Sequence, residues 1–432
     1  MSKLWKKSDQ KLHPAVEKYT AGTDYLFDQE LLPFDIKASR AHAKGLHKIG
    51  VLSSEEVQKL LGAFDELEKD LKAGKIAITP EDEDSHTVIE NYLVEKTGET
   101  GKKIHTGRSR NDQVVTATRL YMRSHLSDLK EECVVLAEQF VDAAEKYQKV
   151  PMPGYSHTQQ AMLTSLGHYF AAFAESLLDD ATHIAQVSEH INNNPLGSAA
   201  GFGTSIPVDR EFTAKEMGFS GVQCNTLYVQ NSRGKIESRY LEALVQVMLT
   251  LGKFANDMIL FTSQEFDYFA VDTSLTTGSS IMPHKHNLDV MEVLRGNVSV
   301  VIANQLMVKD IAKNLVSGYN RDGQLIKKPL FESTRIVHES LEVAGLMLAG
   351  LTPKPENMRA KIDPGIFTAD IANTLVQEKG MSFRDAYREA AGAATDGMDL
   401  EKNIASKKSI GAPGNLGLDT YRERIGKIRK MI

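Results

Sequence analysis

From Leu163 to Ile191 apolar side chains recur at spacings of three and four: Leu166, Phe170, Phe173, Leu177, Ala181, Ile184, Val187 and Ile191, with no glycine after Gly167. This is the period of one helix face, and it runs for about 28 residues, or roughly 42 Å at the α-helical rise. A second series (Leu129, Cys133, Leu136, Phe140, Ala144, Tyr147) precedes it, and a third (Leu241, Leu244, Met248, Leu251, Ala255, Met258) follows. The third is also apolar at Val245, Val247, Leu249, Phe254 and Phe261, so it lacks a polar face and belongs inside a bundle. Val290 to Val308 and Leu330 to Leu348 supply a fourth and a fifth. Strand signals are weak and short.

Five long helices between residues 107 and 352 predict an all-α fold: an elongated central long-helix bundle flanked by small helical domains at 1–106 and 353–432. Pro353, Pro355 and Pro364 break the pattern at the second boundary. In the first domain Ser53 or Ser54 followed by Glu56 reads as a helix start, and Thr79-Pro80-Glu81-Asp82 as another.

Charge and cysteine content narrow the function. Lys plus Arg total 51 and Asp plus Glu 57, a formal net charge of −6, which argues against a nucleic-acid partner. Two cysteines, Cys133 and Cys224, make neither a disulfide framework nor a CxxC metal knuckle. The opening MSKLWKKSDQ does not read as a secretory signal, and Gln246, Lys253, Asn256 and Asp257 interrupt the most apolar segment, which argues against a lipid-facing helix. The expectation is a soluble cytoplasmic protein with no membrane partner.

The informative residues lie in loops. His105-Thr106-Gly107-Arg108-Ser109-Arg110-Asn111-Asp112-Gln113 packs two guanidiniums, a hydroxyl and an amide at the entrance to a long helix. Such a cluster suits a carboxylate ligand; a solvated turn in which Asp112 answers the arginines is the alternative. Gly154-Tyr155-Ser156-His157-Thr158-Gln159 reads as an S-x-x-Q capping box before the 163–191 helix, or as a histidine held for acid–base work. Thr276 to Asn287 holds glycine beside two serines, a mobile turn, with Lys285 and Asn287 suited to holding a carboxylate whose charge grows during reaction. His284 and His286 invite a metal, but no carboxylate or cysteine stands at ligand spacing. The fourth loop, Tyr319-Asn320-Arg321-Asp322-Gly323-Gln324-Leu325-Ile326-Lys327, is a polar turn that serves equally as a connection.

The run Gly278-Ser279-Ser280-Ile281-Met282-Pro283-His284-Lys285-His286-Asn287 resembles the GSSxMPxKxN signature of the fumarase/aspartase superfamily, and HTGRSRNDQ at 105–113 resembles its argininosuccinate lyase branch. DEDSHT at 82–87, PLGSAAGFGTSIPVDRE at 195–211 and the YNRDGQLIK turn support the likeness, which runs from Leu4-Trp5 to TADIANTLV at 368–376. The resemblance implies a homotetramer with active sites assembled from three subunits. The implied reaction is reversible elimination of argininosuccinate to arginine and fumarate, the last step of arginine biosynthesis, with no metal or organic cofactor.

It also implies roles. Ser279 is the general base, helped by Lys285 and nearby backbone N–H groups, since a serine alkoxide needs stabilising. His157 is the proton donor to the departing nitrogen or the group that organises it, and Glu292 is the acid that pairs with the histidine. Ser109, Asn111, Ser156 and Asn287 hold carboxylates, and Arg110 is an active-site arginine. Tyr319, Gln324 and Lys327 bind the arginine end, with Asp28 as a guanidinium contact. Asp84 and His86 match an acid–histidine pair near the site, with a structural role as the alternative.

The chain departs from the family pattern at several positions. His284, His286 and Leu288 stand where many members have Gln, Lys and Pro; Ser156 stands for Thr and Asp24 for Ser. Competing readings are a sister fumarate-releasing lyase, for example on adenylosuccinate, and an inactive crystallin-like structural homologue.

Overall fold

The computed structural model describes residues 13–431 apart from Glu83 and Asp396, so the Leu4-Trp5 opening lies outside it. The architecture is all-α, with strands confined to four short pairs. Contacts group the chain into two units. The first takes the described residues as far as Asp128, with Gln186–Ala243 and Val301–Arg335; the second takes Leu129–Ala185, Leu244–Val300 and the residues from Ile336 onward.

The first part of the chain holds α1 (Pro14–Ala21), α2 (Asp24–Lys48), α3 (Ser54–Lys72) and α4 (Ser85–Thr97). The expected Ser53–Glu56 capping box is present in both directions: the Glu56 N–H donates to Ser53 Oγ (3.2 Å) and the Ser53 N–H to Glu56 Oε2 (2.9 Å). The expected start at Thr79 is corrected. Asp82 accepts from both the N–H and the hydroxyl of Thr79, closing a turn, and the helix begins at Ser85 with Asp84 as its cap. Leu32, Ile36, Leu46, Leu60, Phe64, Leu67, Ile89 and Leu93 fill the core shared by α2, α3 and α4.

The five long helices are α5 (Arg110–Lys146), α6 (Leu166–Ile191), α7 (Lys235–Phe261), α8 (Asp289–Ala312) and α9 (Lys327–Gly350). The 129–147 periodicity is thus the second half of a helix that starts at Arg110. In the second unit Phe140, Phe173 and Phe254 meet at ring-centroid distances of 5.2 to 5.5 Å, one pair stacked and two edge-on. By length and composition α7 alone among the described helices is long and apolar enough to cross a membrane. Here Tyr240, Leu241, Leu244, Met248, Phe254, Ala255 and Met258 are all fully buried within protein.

The 163–191 helix is corrected at its start. Residues before Leu166 form a hairpin, β1 (Pro151–Ser156) and β2 (Gln159–Ser165), so the S-x-x-Q reading of a helix cap fails. Ser156 and Gln159 pair across the tip, leaving His157 and Thr158 as a two-residue turn with φ of +52° and +59°. Positive φ at both positions is the turn whose twist suits a tight hairpin. Past the helices, α10 (Thr368–Lys379), α11 (Phe383–Ala390) and α12 (Leu418–Ile428) lie within the second unit.

Candidate active site

In the 105–113 loop both arginines are committed to protein. Arg108 is buried and its Nη1 donates to Ser39 Oγ at 2.9 Å. Arg110 reaches the other way, to Asp84 Oδ2 (2.9 Å) and Thr87 Oγ1 (2.8 Å) at the start of α4. The loop is not held by Asp112 answering these arginines through hydrogen bonds. Instead Asp112, fully buried, accepts the backbone N–H groups of Ser109 (2.8 Å), Gly197 (2.9 Å) and Ala199 (2.8 Å), tying the loop to the 195–203 segment. Ser109 Oγ accepts the Asn111 N–H at 3.2 Å. Burial, and then the charges of Arg108 and Arg110, push His105 down to about 4.

Beside it lies a buried carboxylate cluster. Lys327 Nζ, at the start of α9, stands 2.5 Å from Asp28 Oδ1 and 2.7 Å from Asp24 Oδ2. Asp28 is 1% exposed and its second oxygen accepts the Ser85 N–H at 3.1 Å. Ser85 Oγ in turn donates to Asp35 Oδ2 (2.9 Å), which also receives His86 Nδ1 (2.5 Å). Burial works against the charge of Lys327, but the two aspartates outweigh it and hold its pKa above the ordinary value. Gln324 Nε2 donates to the Thr20 carbonyl (3.1 Å), and the Arg233 guanidinium lies 5.2 Å over the Tyr319 ring.

The remaining expected residues belong to the second unit. His157 is exposed at the hairpin tip, beside Ser156. A second hairpin, β3 (Thr277–Gly278) paired with β4 (His286–Asn287), fixes both ends of the signature loop. Inside it, Ser279 Oγ accepts the N–H groups of Met282 (3.1 Å) and Ile281 (3.4 Å), and the Lys285 N–H donates to the Met282 carbonyl (3.0 Å). Of the departures, His286 enters the ladder through its backbone. Leu288 offers its carbonyl to the N–H groups of Met291 and Glu292 at the start of α8, a task indifferent to its side chain. Glu292 is exposed on that first turn, and no hydrogen bond joins it to His157 among the described residues. Nor, among those residues, does any group of three or more His, Cys, Asp or Glu stand ready for a metal ion.

Asp28, Ser109, Arg110, Asn111, Tyr319, Gln324 and Lys327 thus fall in the first unit, and Ser156, His157, Ser279, Lys285, Asn287 and Glu292 in the second. Sequence reasoning missed the roles of Asp35, Ser85 and Asp112. A signal existed for the first: Asp24, Asp28 and Asp35 fall at i, i+4 and i+11 on α2, one stripe of a helix. For the tie that Asp112 makes to the 195–203 segment there was none, because Gly197 and Ala199 lie more than 80 residues away in sequence.

Residues 10–303 match the protein-family profile described as lyase. The chain is 42% identical over 389 residues to argininosuccinate lyase of Thermotoga neapolitana, covering 90% of this chain and 97% of that one. It is 39% identical over 424 residues to argininosuccinate lyase of Stenotrophomonas maltophilia, covering 98% of each. Among solved structures, an EDDS lyase in complex with formate superposes with a TM-score of 0.81 at 21% identity, covering 97% of this chain and 92% of that one. A fumarate lyase:delta crystallin from Brucella melitensis gives 0.72 at 20%, covering 98% and 94%. At such identities these two establish the fold.

Proposed function

Because the chain belongs to the argininosuccinate lyase family, we propose that it catalyses the reversible elimination of argininosuccinate to arginine and fumarate, the closing step of arginine biosynthesis in the cytoplasm. The observation that carries this reading is the hydrogen bond from the Met282 N–H to Ser279 Oγ at 3.1 Å. A serine is a poor base unless its anion is stabilised, and backbone donors already aimed at the oxygen do that without reorganisation.

Ser279 takes the proton from the carbon next to the succinyl carboxylate. The C–H electron pair becomes the fumarate double bond as the C–N bond breaks, and the nitrogen leaves with a proton. His157 supplies or organises that proton, with Glu292 as its acid partner. Charge that builds on the carboxylate is met by Lys285 and Asn287. Ser109, Asn111 and Ser156 hold the carboxylates; Arg110, bound to Asp84, contributes field and loop geometry. The arginine end lies against Tyr319, Gln324 and Lys327, with Asp28 holding the lysine.

The working form is a homotetramer whose active sites draw on several subunits. Support comes from α8, where Val293, Val300 and Met307 recur every seven residues yet are exposed, and Leu306 is 64% exposed. A seven-residue apolar stripe is the seam a second copy covers. Mixing the protein with argininosuccinate, and separately with adenylosuccinate, while following fumarate's ultraviolet absorbance tests the reaction. Release from argininosuccinate alone is expected. Release from adenylosuccinate alone, or from neither, overturns the reading.

A further inference from the structure

We propose that Asp24 is a specificity-determining residue: a second, ligand-facing carboxylate that receives the cationic end of the substrate, a guanidinium or ammonium group. The inference rests on the functional reading above and on the charges, exposures and hydrogen-bond partners of three side chains. Asp28, Lys327 and Asp24 carry −1, +1 and −1, a net −1, in a cluster where Lys327 is 7% exposed and Asp28 1%. Asp28 is closed to a ligand by burial, at 1% exposure, with one oxygen on Lys327 and the other accepting the Ser85 N–H. Asp24 is 14% exposed, and only its Oδ2 is used, by Lys327 at 2.7 Å. Its Oδ1 has no hydrogen-bond partner among the described residues. The uncompensated charge of the pocket therefore resides on the one carboxylate that still has an open oxygen.

A cation delivered to Oδ1 neutralises the pocket, whereas a neutral group leaves a buried carboxylate short of a partner. Other groups facing Asp24 do not supply that charge. Asp28 and Asp84 add negative potential, and Arg110 is already paired with Asp84. Burial, opposed by Lys327 and reinforced by Asp28 and Asp84, raises Asp24 to about 6. A bound cation pulls that value back down, so binding near that pH expels a proton.

The test is calorimetric titration of the assembled protein with L-arginine in buffers of differing ionisation heat. At about pH 6, near the midpoint of Asp24, release of roughly half a proton per arginine is expected. Affinity should rise as the pH climbs through that value. In Asp24→Asn the proton release disappears and, at about pH 8, Kd weakens by about tenfold; Asp24→Ser gives the same result with a smaller side chain. N-acetylarginine, which lacks the ammonium, and agmatine, which lacks the carboxylate, tell which cation is received. Unchanged proton release in both variants, with Kd within about twofold of wild type, overturns the role of Asp24 and leaves the lyase reading standing. Wild-type protein that binds no arginine overturns both.

Discussion

His86 Nδ1 donates to Asp35 Oδ2 at 2.5 Å, both side chains buried, and that bond joins the start of α4 to the middle of α2. Through Ser85 the same aspartate touches the residue whose backbone N–H holds Asp28, so the pair underlies the lysine pocket as well as the fold. Breaking a buried pair by removing one partner costs about 3–5 kcal/mol. Asp35→Ala should lower stability by about that amount in urea denaturation, and a change under about 1 kcal/mol would show the pair to be incidental.

The pair also sets a pH window. Burial disfavours the His86 cation, but Asp35 outweighs it and raises the pKa above 6.5; stability from this group is complete below 6.5 and is lost as pH rises through the raised value. For Asp35, burial is outweighed by His86 and Arg108, and the pKa falls below 3.8; its contribution holds above 3.8 and is lost as acid passes through the lowered value. Urea midpoints measured across pH should therefore fall at both ends, and the alkaline fall should flatten in His86→Gln.

Ser279→Ala removes the oxygen that the Met282 and Ile281 N–H groups address. Turnover should drop by about a thousandfold or more while the helical circular dichroism and the oligomer stay unchanged. Wild-type fumarate release from the variant would reject Ser279 as the base.

Thr158 is β-branched and held at φ +59°. Left-handed backbone strains such a residue. Thr158→Gly should relieve that strain and stabilise the protein by about 1 kcal/mol in urea, after the entropic penalty of glycine. A destabilised variant would mean that the turn does not carry the strain.

Leu306→Glu places a charge in the exposed apolar stripe of α8. Light scattering after gel filtration should show smaller species, and activity should fall with them, since the proposed tetramer draws its active sites from several subunits. A tetramer of unchanged mass would move the interface elsewhere.

How much was legible follows from the range of each interaction. Helix α6, with apolar residues every three or four positions, announces itself because its pattern and hydrogen bonds are local. The Ser53–Glu56 cap is local for the same reason. The 151–165 hairpin reads in sequence as a capping box before a helix because the capping-box letters are also turn letters. Only the pairing of Pro151 with Ser165 separates the two readings.

By itself the sequence determined the all-α class, the long-helix periodicity and the chemistry-bearing loops, because these are written in residue type and short spacing. Tertiary structure decided which of those groups are committed and which are open. Arg108 turned inward, Arg110 went to Asp84, and Lys327 met Asp24 and Asp28 across 303 and 299 residues of chain. Long-range pairing depends on where packed helices bring their ends, and the desolvation it imposes on a charge is a property of that packing, not of the residue.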